Sequence, residues 1–246
     1  MTLKNINDIS KDSFILYHHL GLGDVIICNG LVNYISKSFK NIHLIVDKKF
    51  YKQITFLYSE NSNVVVVPAD LDKPNHATKF VAKYADEYRL QVLKVGWEHI
   101  DWNIYKKPFN VSFYKQLGLK YSYSYDYFHI PRNKSRENKL IHHLVDYYGV
   151  DIDNLKLVHS SASNKSYSLK LNTDEKYLYV EKESDLFNNM FLYSGLIEIS
   201  KEIHCINSSF SHLTDRINTD SKLYYHDVRG KKINYQQKWK VVKYED

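Results

Sequence analysis

Cysteine is scarce in this chain: 246 residues hold two, Cys28 and Cys205, each inside an apolar segment and with no CxxC spacing. That excludes a disulfide framework and a cysteine-built zinc site, and reads as two buried free thiols in a reducing compartment. Proline (4) and glycine (8) are few, which rules out collagen-like and low-complexity classes. No apolar run approaches the roughly 18 residues needed to span a bilayer, and the N-terminus lacks the apolar core of a secretory leader. The expectation is a cytoplasmic protein, at most peripheral to a membrane. No dense Lys/Arg tract marks a nucleic-acid domain, and the net charge of +6 suits a phosphorylated ligand or an anionic membrane surface. HExxH, Gly-Lys-Ser/Thr and Gly-x-Ser-x-Gly are all missing, which removes the zincin, Walker-loop and serine-hydrolase readings. Asp70-Leu-Asp72 and Asp151-Ile-Asp153 spell Asp-x-Asp, but neither follows a convincing strand, so no metal is expected.

What is present is an alternation of short β-branched runs and helical periodicity. Over the first 100 residues, strands are expected at 14–17, 42–46, 64–67 and 91–95, with helices over 48–58 and 77–88. The run Val64-Val-Val-Val67, stopped by Pro68, reads as a strand buried on both faces. Between Trp97 and Tyr127 aromatic residues crowd together (Trp97, Trp102, Tyr105, Phe109, Phe113, Tyr114); Trp97, Trp102, Tyr105, Phe109 and Tyr114 read as interdomain core or, alternatively, as a platform that stacks on an acceptor sugar. A helix over 111–117 ends at Gly118, and 121–127 is a strand or extended connection. The polar stretch 131–138 is the linker candidate. A second α/β pattern follows: helix 140–148, strands 155–159, 177–180, 203–206 and 223–225, helices 188–198 and 207–217. The fold class is therefore α/β, two Rossmann-like domains facing a cleft, over 1–130 and 131–246. The tail 235–244 is free to cross back to the first domain.

Three constellations could carry chemistry. In the first, a strand runs through His18 and His19 into Gly21-Leu22-Gly23-Asp24 and then an apolar helix. The glycines let the backbone bend and leave room for a ligand. The third glycine of a dinucleotide fingerprint is absent, since Ile26 stands there. Asp24 either caps the helix or, held ionised by the helix dipole, takes a proton from a hydroxyl. The second is Ile203-His-Cys-Ile-Asn-Ser-Ser-Phe-Ser-His212, where a strand meets small hydroxylated residues at a helix start. Ser208, Ser209 and free backbone N–H groups suit a diphosphate, or Asn207 or Ser208 simply caps the helix. His212 lies one turn further on. The third is the polar loop Ser160 to Lys165, also after a strand, with a lysine able to neutralise phosphate.

Together, Phe14–Ile35 and Glu198–Ile217 resemble the heptosyltransferase-like glycosyltransferases (family 9 and relatives) with the GT-B fold, and most closely short bacterial and viral members of that type. The resemblance implies sugar transfer from a nucleotide-diphosphate-sugar donor, held by the C-terminal half, to a glycan or lipid-linked acceptor. It implies no metal or other cofactor and no nucleic-acid partner. Asp24 matches the family's catalytic base, with His19, Gly21 and Gly23 on the acceptor side. Lys165, Ser208, Ser209 and His212 match its donor-phosphate residues, with Ser160 beside them and Arg229 within reach of the phosphates. This chain has Asn207-Ser-Ser where true heptosyltransferases have Asp-Thr-Gly. The reading is an inverting, metal-independent transferase. A nucleotide-sugar epimerase or hydrolase, and a non-catalytic nucleotide-sugar-binding subunit, are the alternatives.

Overall fold

The computed structural model describes residues 2–3, 5–70, 76–96, 109–162, 165–230 and 234–244. Trp97, Trp102, Tyr105 and Asp72, singled out above, lie outside them. Two compact units divide the chain, Met1–Pro131 and Arg132–Asp246.

In the first unit β1 (Thr2–Leu3), β2 (Ser13–Tyr17), β3 (Asn41–Asp47), β4 (Val64–Ala69) and β5 (Gln91–Lys94) form one sheet in the order β1-β5-β2-β3-β4. Every pairing is parallel. Parallel neighbours need crossovers, which α1 (Leu22–Ile35), α2 (Tyr51–Leu57) and α3 (His76–Glu87) supply. Strand β4 is outermost, so its valine run is half-exposed rather than buried on both faces; Val65 is 38% exposed. Pro68 is tolerated there because an edge strand has one side without ladder bonds. Helix α1 is apolar on nearly all sides and is buried accordingly. It packs against α4 (Phe109–Gln116) and α5 (Tyr123–Asp126). The helix α5 stands within 121–127 in place of the expected strand or extended connection, its tyrosines meeting neighbouring rings edge-on and packing against Tyr34 of α1. Gly30 permits the close approach: a Cβ there would stand 2.1 Å from the carbonyl oxygen of Tyr123. Phe113 and Tyr114 are thus core of the first unit.

The second unit holds α6 (Lys134–Tyr148), β6 (Lys156–His159), β7 (Leu178–Tyr179), α7 (Ser194–Ile199), β8 (Glu202–Cys205), α8 (Ser209–Thr214), β9 (Lys222–Asp227) and β10 (Trp239–Lys243). Its sheet runs β10-β9-β8-β6-β7, again all parallel. Most of the stretch expected as linker is the start of α6, capped by Asn133, whose side chain accepts from the Arg136 amide at 3.0 Å. The charges there are used structurally: Arg132 grips the buried carboxylate of Glu137 through Nε (2.7 Å) and Nη2 (2.5 Å) and also reaches Glu198. The tail forms β10, paired in register with β9. Buried Asp215 accepts from the amides of Gln236 and Gln237 and the Trp239 indole, each at 3.0 Å, and so draws 235–239 onto the second unit. Cys28 and Cys205 are free and buried.

Candidate functional site

Strand order decides where a ligand can sit. In an open parallel sheet, the connections leave two neighbouring strands in opposite directions at one place, and a crevice opens beyond their C-terminal ends. In the first unit that place lies between β2 and β5, for β2 leads outward to β3 while the chain returns from β4 to β5 on the other side. The motif His18-His-Leu-Gly-Leu-Gly-Asp24 leaves β2 at this point, and Val95-Gly96 leaves β5 beside it. Val95 N–H donates to the Tyr17 carbonyl at 2.9 Å, and His19 bonds the backbone of Gly96. Gly96 has φ +84°, and a Cβ on it would lie 2.1 Å from the Phe113 ring, which also meets the His19 ring edge-on at 5.5 Å. Gln116 closes the brace, accepting from the Gly96 amide at 2.9 Å and donating to the Lys94 carbonyl at 2.8 Å.

Asp24 is the third residue of α1. The expected glycine turn is tighter than read, since Gly21 is the N-cap and Leu22 and Gly23 are already helical. No side chain caps this helix, so the carboxylate is not spent as a cap. A Cβ on Gly21 would stand 2.9 Å from the Asp24 carboxylate oxygen, so glycine keeps that oxygen uncovered. Burial pushes the Asp24 carboxyl up from 3.8 to about 6. Loss of water thus outweighs the helix dipole, worth ~0.3–1 kcal/mol, in setting where the carboxyl titrates, and at neutral pH it is ionised as expected. A base whose pKa lies just below working pH is stronger than an ordinary carboxylate and still largely ionised. His18 is fully buried and held near 4 by the loss of water, so it is neutral and packs. His19 is lowered for the same reason.

In the second unit the corresponding place lies between β6 and β8, because β6 leads outward to β7 and β8 returns on its other side. The Ser160–Lys165 loop leaves β6 here, and Asn207-Ser208-Ser209 leaves β8. Ile206 N–H donates to the His159 carbonyl at 3.2 Å, and His159 Nδ1 meets Ser208 Oγ at 3.1 Å. Ser208 caps α8 in a reciprocal box with Ser211, so its hydroxyl is largely committed to the fold. Of the first-turn amides of α8, that of Ser211 is taken by Ser208 Oγ, and those of Ser209 and Phe210 have no partner within the helix. Arg229 donates to the Asn207 carbonyl at 2.9 Å, bringing a guanidinium to this loop from beyond β9. Asn207 also bonds the Tyr225 hydroxyl, which burial pushes up to about 12.

The remaining residues read from the sequence are placed less tightly. His212 meets Tyr235 edge-on at 5.4 Å, its Nδ1 is buried without a hydrogen-bond partner, and burial drives it down to about 3. It is therefore a neutral group, able to donate from Nε2 but carrying no charge. Lys165 is exposed, with its ammonium 5.0 Å from the Tyr167 ring centroid. Ser160 directly follows β6, and its carbonyl accepts from the Tyr167 amide at 3.0 Å. Asp151 of the second Asp-x-Asp accepts the Asp153 amide and so shapes a turn. Among the described residues, no group of three or more His, Cys, Asp or Glu side chains is arranged to hold a metal ion. None of their helices is long and apolar enough to cross a membrane.

His159, Arg132, Gly96 and Gln116 carry no sign in the sequence of a place at these sites, and Phe113 and Tyr114 read there only as part of the aromatic-rich stretch. His159 ends β6 and Gly96 lies two residues past the end of β5, both at switch points that appear only once strand order is known.

No protein-family model matches the chain, and no curated protein does. Among solved structures, it is similar to a glycosyl transferase of family 9 from Veillonella parvula DSM 2008, at 12% identity over 96% of this chain and 88% of that one, with a TM-score of 0.59. It aligns at a TM-score of 0.44 and 11% identity with E. coli heptosyltransferase WaaC with ADP-2-deoxy-2-fluoro heptose, over 94% of this chain and 92% of that one. The fold is thus a GT-B-like pair of Rossmann-like domains.

Proposed function

We propose that this protein transfers a sugar from a nucleotide-diphosphate-sugar donor to a hydroxyl of a glycan or lipid-linked acceptor. The observation that carries this reading is the placement of two sequence motifs at the switch points of two parallel sheets. One presents a half-buried carboxylate with a raised pKa, the other a cluster of hydroxyl, amide and guanidinium groups suited to a diphosphate. The fold shared with a family 9 glycosyl transferase supports the same reaction class.

Asp24 takes the proton of the acceptor hydroxyl as that oxygen attacks the anomeric carbon. The bond from that carbon to the diphosphate oxygen breaks, the electron pair leaves with the nucleoside diphosphate, and the anomeric configuration inverts. Arg229, Ser209 and the α8 amides, with Lys165 from the neighbouring loop, take up the charge on the leaving group. Donors aimed at developing charge contribute on the order of 3 kcal/mol each in a dry site. These groups make a divalent ion unnecessary in the proposed route.

Product analysis tests the reaction class. With labelled nucleotide sugars in EDTA, nucleoside diphosphate should be released only when a glycan or lipid-linked glycan acceptor is present, with the label moving to the acceptor. Free sugar released without acceptor would assign a hydrolase, an epimerised donor an epimerase, and donor binding without turnover a binding subunit. Each would overturn the transferase reading.

A further inference from the structure

The middle turn of α1 is held from outside the helix by side-chain hydroxyls. A regular helix joins the carbonyl of Ile27 to the amide of Leu31. Here the buried Tyr114 hydroxyl donates to the Ile27 carbonyl at 2.7 Å and accepts from the Leu31 amide at 3.0 Å. Ser124 Oγ donates to the same carbonyl at 3.1 Å. The two backbone groups that one helical rung would join are thus both bonded to a single side chain of a neighbouring helix, which ties the middle turn of α1 to α4. The turn N-terminal to it begins at Leu22 and carries Asp24.

We infer that Tyr114 is a positioning residue for the reaction proposed above, its hydroxyl tying the backbone of the middle of α1 to α4 and so fixing the first turn that presents Asp24. The inference rests on Asp24 being the base. Tyr114 is well placed for the role, since the same helix α4 braces the other wall of the site through Phe113 and Gln116. One short helix thus fixes the β5 end, the His19 ring and the path of α1. Misplacing a reacting group by about 1 Å costs on the order of a hundredfold in rate, so a small change in helix direction is sufficient.

Tyr114→Phe keeps the ring in the core and removes only the bridging oxygen. Its expected result is a kcat reduced by tenfold or more with the donor KM unchanged. The Asp24 carboxyl, followed by carbon NMR titration, should also move from about 6 toward its ordinary value as the first turn relaxes into water. The Leu31 amide should exchange with solvent faster. Ser124→Ala leaves the bridge intact and should change neither the titration nor kcat. Lower stability with an unmoved Asp24 titration and wild-type kcat would make Tyr114 merely structural and overturn the inference. The NMR titration needs no turnover, so a wild-type protein without transferase activity would defeat the proposed function while leaving the placement of Asp24 by Tyr114 open to the same measurement.

Discussion

Asp24→Asn is expected to abolish sugar transfer and to make the protein more stable. A positioned general base contributes roughly 10²–10⁴-fold, and asparagine of nearly the same shape removes only the proton acceptor. Donor binding should be unchanged, because the donor groups lie in the second unit. The stability gain follows from the sign of the pKa shift. The folded value, about 6, lies above the unfolded 3.8, so the folded state binds the proton more tightly. Asp24 costs no stability below pH 3.8; the cost grows as pH rises from there to about 6 and is complete above that. Allowing for partial exposure of the carboxylate, the penalty at pH 7.5 is about 2 kcal/mol. Urea midpoints of the two proteins should therefore nearly coincide at pH 4 and separate by pH 7.5. His18, His159 and His226 are lowered by burial and lose stability in the opposite direction, as pH falls from 6.5 toward 4. They are common to both proteins and cancel in the difference. A variant that turned over at the wild-type rate would remove Asp24 from the mechanism.

Glu137→Ala should be the most damaging change away from the site. The Glu137 side chain is 1% exposed and held twice by Arg132, with Lys134 at 3.5 Å. Its carboxylate lies where only Gly195 leaves room, since a Cβ there would come within 3.0 Å of the oxygen. Removing one partner of a buried pair costs about 3–5 kcal/mol. Arg132 keeps Glu198 and some access to water, which sets the expectation near the lower end. At about 2–4 °C per kcal/mol, the transition of the second unit should fall by roughly 10 °C. Glu198→Ala removes the more exposed partner of the same arginine and should cost under about 1 kcal/mol. Equal losses in the two variants would mean that burial of Glu137 is not what gives the pair its strength.

Much of this was legible in the sequence because local pattern and fold agree. The apolar runs at 14–17 and 42–46 become strands, and Gly118 adopts the positive φ expected just past the end of α4. The strand-to-helix motifs at Asp24 and Ser208 land on sheet edges because their glycines and small hydroxyls admit sharp turns. The failures share a cause. The valines at 64–67 are equally apolar in a central or an edge strand, and only pairing order distinguishes the two. The tyrosines of 121–127 alternate like a strand, yet they pack against α1 as part of a helix. Trp239 to Lys243 reads as a loose tail until the buried carboxylate of Asp215 is seen holding it. Arg229 could be read only as within reach of the phosphates, because its link to Asn207 joins residues 22 positions apart. Tyr114 gave no sign, since an aromatic in a helix is ordinarily core and its hydroxyl finds α1 only in the folded chain.

Thermal shift of the intact protein against nucleosides, nucleoside monophosphates, nucleoside diphosphates and nucleotide sugars tests the central claim most directly. A ligand bound only by the folded state raises the transition by mass action. Nucleoside diphosphates and their sugar conjugates should raise it well beyond the nucleoside alone, and Arg229→Gln should lose most of that increment, about tenfold in affinity for one charge-assisted hydrogen bond. A transition that no nucleotide moves would contradict the account.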